Sequence, residues 1–278
     1  MTPLIDADIL LHELGWSGEF KDKTSGEQVL LDFDHVSELL DEKIKQICIN
    51  VYATSKPILF VTNSIWISEH RHRFVNVVPE YIETFRYSVA KTKPYKGTRN
   101  NPKPFHFYNI LMYLDGNYDL CISADGYEAD DELCMAQYSK KYGDSTICSR
   151  DKDLRICPGW HYSWECGSQR AIGPEETDDL GWLVPRKDDF IGYGKKFFYY
   201  QMLVGDSADN IPGLPGYGKK TAYKLLVDVN SEIGLYKTVK KEYITTVGVG
   251  HAKTFFMEQA DLLWMIRERG IRYEIPDH

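Results

Sequence analysis

Carboxylates stand at the ends of apolar runs in this chain, and that placement constrains its fold more than any other feature. Three groups follow one another: Gly126-Tyr-Glu128-Ala-Asp130-Asp131-Glu132, then Ser149-Arg-Asp151-Lys-Asp153-Leu, then Gly205-Asp206-Ser-Ala-Asp209-Asn210. A parallel sheet whose strands finish at one edge would gather them. Crowded carboxylates repel one another, and burial raises the pKa of such groups. Hard divalent cations resolve the conflict, because Mg²⁺ takes oxygen ligands and keeps several waters. The plain alternative is three unrelated solvated loops, the usual meaning of a charge cluster. Three groups in this order, followed at once by a glycine-rich loop, argue against it.

The elements between the acids fit an α/β fold. Leu4 to Leu10 reads as a buried strand that ends in acid and turns into a helix. Residues 33–54 carry Val36, Leu39, Leu40, Ile44, Ile47 and Val51 at helical spacing. Pro57–Val61 is a second strand, closed by the turn signal Thr62-Asn63-Ser64, and Tyr118–Ser123 and Ser145–Ser149 are a third and a fourth. Helices are expected from Phe105 to Leu114 and from Glu128 to Lys141; in the latter Glu128 and Asp131 share a face. Strand-then-helix repeats imply a mainly parallel sheet with functional loops at the strand C-termini. Residues 156–196 read as a hairpin of His161–Trp164 with Ala171-Ile172, then an irregular insertion. From Phe197 a helix runs to Val204, and the loop Ile211–Gly218 leads into helix Lys219–Val227, with further helices beyond residue 228.

Residues 69–105 change character. From Lys91 to Lys103 there are five Lys/Arg and no acid. Lys96 and Arg99 suit phosphate and Tyr95 suits base stacking; a solvated Pro/Gly loop is the competing explanation. Gly213, Gly216 and Gly218 let backbone N–H groups approach a phosphate at a helix start. Lys219 and Lys220 run against the helix dipole there, which favours an anionic ligand. Net charge is −8, yet removing Asp6, Glu128, Asp130, Asp131, Asp151, Asp153, Asp206 and Asp209 from the 41 acids leaves 33, against 33 Lys+Arg. The six cysteines include no Cys-x-x-Cys pair, which speaks against zinc; Cys121, Cys134 and Cys148 lie in apolar stretches and read as small buried hydrophobes. No apolar run is long enough to span a membrane and the first residues lack a signal-peptide pattern, so a cytoplasmic location is expected.

Taken together, Leu-Ile-Asp6-Ala, Phe-Val-Thr-Asn63-Ser, Tyr95-Lys96-Gly-Thr-Arg99, Glu128-Ala-Asp130-Asp131, Asp151-Lys-Asp153 and Gly-Asp206-Ser-Ala-Asp209-Asn-Ile-Pro-Gly-Leu-Pro-Gly-Tyr-Gly-Lys resemble the 5′→3′ exonuclease and flap endonuclease family. Within it the chain is similar to the exonucleases of T7-like and T5-like phages, from Leu4 to about residue 227. The resemblance implies a PIN-like core over 1–196 with a short basic arch at about 84–110. It also implies a helical DNA-binding region over 197–278, with a helix–3-turn–helix at 197–227. By position, Asp6, Glu128 and Asp130 fall to a first metal site and Asp131, Asp151, Asp153, Asp206 and Asp209 to a second, some through water. Lys96 and Arg99 match the family's catalytic basic pair, and Tyr95 the aromatic that positions the terminal nucleotide. Gly213, Gly216 and Gly218 match the loop that holds duplex phosphates, often with a monovalent ion such as K⁺.

The implied activity is 5′→3′ hydrolysis of DNA with two Mg²⁺ or Mn²⁺ ions, giving 5′-phosphates. Partners would be double-stranded DNA with 5′ ends or flaps, or RNA–DNA hybrids. One departure matters: the family has an Asp where this chain has Asn63, which weakens the first site unless Asp8 compensates. A DNA-end binder with weakened catalysis and a PIN-type ribonuclease are the rival expectations.

Overall fold

The computed structural model describes residues 1–63, 83–99, 102–187 and 189–277. Ser64 and the start of the stretch that changes character at residue 69 lie outside the described residues. The chain forms two compact units, one of residues 1–83, 101–151 and 160–175, the other of 84–100, 152–159 and 176–278. The second unit therefore includes the basic segment before residue 100 as well as the residues after 196.

The first unit is built on β1 (Thr2–Asp6), α1 (Ala7–Ser17), a small antiparallel hairpin of β2 (Glu19–Lys21) and β3 (Gln28–Leu30), and α2 (Phe33–Asn50). β4 (Ile58–Val61) follows; after α3 (Phe85–Val89), which belongs to the second unit, come α4 (Phe107–Asn117), β5 (Asp119–Ile122), α5 (Ala129–Tyr138), β6 (Ser145–Cys148), β7 (Gly159–Ser163) and β8 (Ile172–Thr177). One six-stranded sheet has the order β5-β4-β1-β6-β7-β8. β5–β4, β4–β1, β1–β6 and β6–β7 all pair in parallel, with Leu4 of β1 opposite Ile58 on one side and Ile147 on the other. β1 is buried along its whole length, as expected of a central parallel strand covered on both faces. Ile5, Leu11, Leu40, Val61, Phe107 and Leu111 form the heart of its core.

β1 ends at the acid Asp6 and turns into a helix as expected: the Asp6 carboxylate accepts the Ile9 N–H at 3.4 Å and starts α1 there. Other boundaries differ from the sequence reading for local reasons. α2 stops at Asn50 rather than residue 54: Tyr52 turns left-handed at φ +53° and the Ala53 N–H folds back to the Cys48 carbonyl. The expected 161–164 and 171–172 strands are neighbours, as parts of β7 and β8, but β7 also extends the parallel sheet. The supposed irregular insertion holds an ordered hairpin, β9 (Leu183–Arg186) against β10 (Asp189–Gly192).

In the second unit α6 (Gly194–Val204) is buried almost throughout and packs against α7 (Lys219–Leu226), α8 (Glu232–Val247) and α9 (Val249–Leu263). Two of its buried polar groups are paired: the Tyr199 hydroxyl meets that of Tyr273 at 2.8 Å, and the Met202 carbonyl accepts from Tyr243 at 2.6 Å; the Tyr200 hydroxyl and Gln201 Oε1 are buried without a partner among the described residues. Arg86 of α3, 1% exposed, donates to the carbonyls of Leu262 and Trp264 at the C-terminal end of α9. Among the described residues no helix is long and apolar enough to cross a membrane.

Candidate metal centre and nucleic-acid interface

In the first unit the parallel strands deliver acids to one sheet edge. Asp6 ends β1, Thr62 and Asn63 follow β4, Ser123 and Asp125 follow β5, and Ser149 and Asp151 follow β6. Asp6 is 2% exposed; its second oxygen accepts the Ser149 hydroxyl at 2.7 Å, and that hydroxyl accepts the Asp151 N–H at 2.9 Å. Burial first, and then the nearby charges of Asp8 and Asp151, push the Asp6 carboxyl up to about 7. Positive charge placed beside such a group favours its ionised form.

The start of α5 sits at the same edge. Glu128 and Asp131 are both buried, and the Asp131 carboxylate accepts the Glu128 N–H at 3.2 Å, an N-terminal cap of the helix. Asp130, between them, is partly exposed. Asp8, the residue offered to compensate for Asn63, clamps the neighbouring turn. Its two oxygens accept the Thr62 N–H at 3.1 Å and hydroxyl at 2.5 Å, and Thr62 Oγ1 in turn accepts the Ala129 N–H. Asn63 donates its amide to Asp125 at 2.6 Å. Asp125 was not singled out in the sequence, although it lies one residue before Gly126 of the quoted motif.

The second unit carries the remaining acids and the basic segment. Asp206 and Asp153 are both buried, and the Lys152 ammonium lies between them, 2.5 Å from Asp206 and 2.7 Å from Asp153. Burial would raise Asp206, but Lys152 outweighs it and holds the carboxyl below its usual range; burial would lower Lys152, but the two carboxylates hold the ammonium above its own. Gln201 donates to Asp153 at 2.5 Å, and the Ala208 N–H to Asp206 at 2.8 Å. Lys152 is the residue that sequence reasoning missed: it was visible inside Asp151-Lys-Asp153, but a lysine flanked by acids reads as an ordinary surface charge.

Asp209 is the anchor of the basic segment. Its carboxylate pairs with the Arg99 guanidinium and accepts the Tyr95 hydroxyl at 3.0 Å, while its carbonyl accepts the Lys96 N–H at 2.9 Å. Asn210 donates to the Pro94 carbonyl at 2.9 Å. Lys96 has φ +52°, a backbone state that costs a non-glycine residue energy and is held by these contacts. Tyr95, offered by the sequence for base stacking, is 4% exposed and packs edge-on against Tyr87 at 5.4 Å, so its ring is a structural prop.

The glycine loop divides by role. A Cβ on Gly213 (φ +66°) would stand 2.3 Å from the backbone nitrogen of Gly205, and its N–H donates to the buried Gln259 side chain at 3.0 Å. That N–H is used inside the unit rather than offered to a phosphate. Gly216 and Gly218 are exposed, with open space where a Cβ would be, and Gly218 caps α7 ahead of the exposed Lys219 and Lys220. Lys219 pairs with Asp189 at 2.8 Å on the surface.

Among the described residues no three His, Cys, Asp or Glu side chains are arranged to hold a metal ion as they stand. Their oxygens are engaged by Ser149, Thr62, Lys152 and Arg99. The donor set still fits a hard dication: it is all oxygen, largely anionic, and in the case of Asp6 held against mutual repulsion. The cysteines form no disulfide; Cys134, Cys148 and Cys157 are buried, while Cys121 is only partly so.

Residues 193–268 match the family model for the 5'-3' exonuclease C-terminal SAM fold. The chain is 32% identical to DNA polymerase I of Rhizobium leguminosarum over 180 residues, 59% of this chain and 17% of the polymerase. It is also 32% identical to the 5'-3' exonuclease of Buchnera aphidicola over 140 residues, 49% of this chain and 42% of that protein. The chain thus spans less than half the length of either relative. The fold is similar to that of the flap endonuclease of bacteriophage T5 solved with DNA and metal ions, with a TM-score of 0.52, 14% identity and coverage of 94% and 98% of the two chains. The helical stretch 193–268 thus matches the 5'-3' exonuclease C-terminal SAM fold, part of the chain shares sequence with 5'-3' exonuclease and DNA polymerase I proteins, and the fold is that of the T5 flap endonuclease.

Proposed function

We propose that this chain is a metal-dependent 5′→3′ nuclease acting on double-stranded DNA with 5′ ends or flaps, and that it leaves 5′-phosphates. The observation that carries this reading is the gathering of Asp6, the Glu128–Asp131 turn and Asp151 at the C-terminal edge of one parallel sheet. In the first unit Asp6, Glu128, Asp130, Asp131 and Asp151 would supply metal donors; in the second, Asp153, Asp206 and Asp209 would. Two Mg²⁺ or Mn²⁺ ions, when bound, supply hydroxide at neutral pH and charge neutralisation at the phosphate.

The protein's own residues do the rest. Ser149 orients Asp6, and the Asp8–Thr62 clamp fixes the start of α5. Arg99, held by Asp209, and Lys96 supply positive charge for a scissile phosphate. Gly216, Gly218, Lys219 and Lys220 offer backbone N–H groups and ammonium groups to duplex phosphates, the place where K⁺ would sit. The resemblance to phage enzymes and a cytoplasmic location belong to the same proposal.

The test uses 5′-labelled duplex, 5′-flap DNA, an RNA–DNA hybrid and RNA alone, each with Mg²⁺ or chelator, against the wild-type chain and Asp130→Ala. Metal-dependent release from DNA 5′ ends, lost in Asp130→Ala, is the expected result. Cleavage of RNA alone would indicate the PIN-type ribonuclease. Binding without cleavage would leave a DNA-end binder.

A further inference from the structure

We propose that the Lys152 ammonium is a built-in cation, lodged between Asp153 and Asp206, which a divalent ion must displace to bind those two carboxylates. The second unit would then load metal by exchange of one cation for another. This rests on the nuclease reading only in assigning Asp153 and Asp206 to metal binding.

The geometry carries it in three steps. First, a positive charge already sits within 2.7 Å of both carboxylates, so the site holds a cation in the folded chain. Second, the two acids are positioned without the lysine. Gln201 Nε2 donates to Asp153, and the Ala208 N–H to the oxygen of Asp206 that does not face Lys152. Side chains fixed by neutral donors keep their orientation when the ammonium leaves. Third, the carboxylates are inside and the lysine is not: the side chains of Asp153 and Asp206 are 11% and 4% exposed, that of Lys152 44%. A lysine is a strongly hydrated point charge on a flexible stem, and one that is nearly half exposed has a path into water once a divalent ion takes its place.

The exchange has a functional consequence. A resident ammonium stabilises the metal-free chain and weakens divalent binding at that position.

The experiment is run on the full chain, without DNA. In the wild type, the rate at which an amine-acylating reagent modifies Lys152 is followed by mass spectrometry as Mn²⁺ is added. A lysine paired with two carboxylates reacts slowly and a displaced one reacts as an ordinary lysine, so the rate should rise about tenfold, the factor for an interaction of roughly 1.4 kcal/mol. In parallel, free Mn²⁺ is counted by electron paramagnetic resonance. Lys152→Met should bind its weaker Mn²⁺ at least about tenfold more tightly than wild type, since it has no competing charge, and Lys152→Arg should behave as wild type. A labelling rate insensitive to Mn²⁺, or equal Mn²⁺ affinity in a folded Lys152→Met, overturns the proposal. If Lys152→Met does not fold, the wild-type labelling result decides alone. Exchange observed in a chain that cleaves nothing would sink the nuclease reading and leave this inference standing; cleavage without exchange would do the reverse.

Discussion

Replacing Asp6 by Asn should make the metal-free protein more stable at pH 8 while weakening its response to metal. Asp6 is 2% exposed, and its carboxyl is moved from an ordinary 3.8 to about 7 by burial and by the charges of Asp8 and Asp151. Holding it ionised at pH 8 therefore costs roughly 4 kcal/mol, at about 1.36 kcal/mol for each pKa unit. Asn removes that cost but has one acceptor oxygen where Asp6 uses two, for Ile9 and for Ser149. Losing one such bond costs about 1–2 kcal/mol, so the net gain should be about 2 kcal/mol. The sign in pH follows from the raised folded value. Asp6 favours the folded state below its unfolded value near 4, and that contribution is lost as pH rises towards 7. Urea unfolding in EDTA, from pH 4 to pH 8, reads both effects. The variant should lie about 1–2 kcal/mol below wild type near pH 4, exceed it at pH 8, and gain less than wild type when Mg²⁺ replaces EDTA. A variant less stable than wild type at pH 8 in EDTA would show that the repulsion described here does not exist.

Three further outcomes are expected. Asn63→Asp sets a second carboxylate against Asp125, where an amide now donates at 2.6 Å; melting in EDTA should drop, and the Mg²⁺ needed for half-maximal activity should fall, so an unchanged Mg²⁺ requirement removes Asn63 from the metal site. Gly213→Ala meets backbone 2.3 Å away at a left-handed φ, and denaturant titration should show a loss of about 3 kcal/mol or more, of the order seen for overpacking with backbone strain. Asp179, paired with Arg267 and Lys195, is held below its ordinary value because those cations outweigh its burial; its contribution is present above pH 4 and lost on further acidification. With half its side chain exposed, Asp179→Asn should cost no more than about 1 kcal/mol at pH 7 and nothing at pH 2 by thermal melting.

Much of the candidate site could be read from the linear string because its chemistry is local. Asp6, Asp151 and Glu128–Asp131 follow short apolar strands or open a helix, and hydrophobic periodicity places such residues at a strand end whatever the rest of the chain does. Gly218, Lys219 and Lys220 at the head of α7 were legible for the same reason. Roles that depend on a distant partner were not. Tyr95 looks like a stacking aromatic until Asp209, 114 residues on, takes its hydroxyl. Asp8 gives no sign in the sequence of the two bonds that Thr62 makes to its oxygens, 54 residues on. Gly213 looks like a phosphate contact until the close approach of Gly205 and the Gln259 bond account for it.

What the amino-acid order settled by itself is the identity and sequence of the acids, the strand–helix alternation and the basic loop, since each is a property of neighbouring residues. Tertiary structure alone decided which charge faces which: Lys152 against Asp206 across 54 residues, Asn63 against Asp125 across 62. Electrostatic pairing acts through space at a few ångströms, and only the folded chain sets those distances.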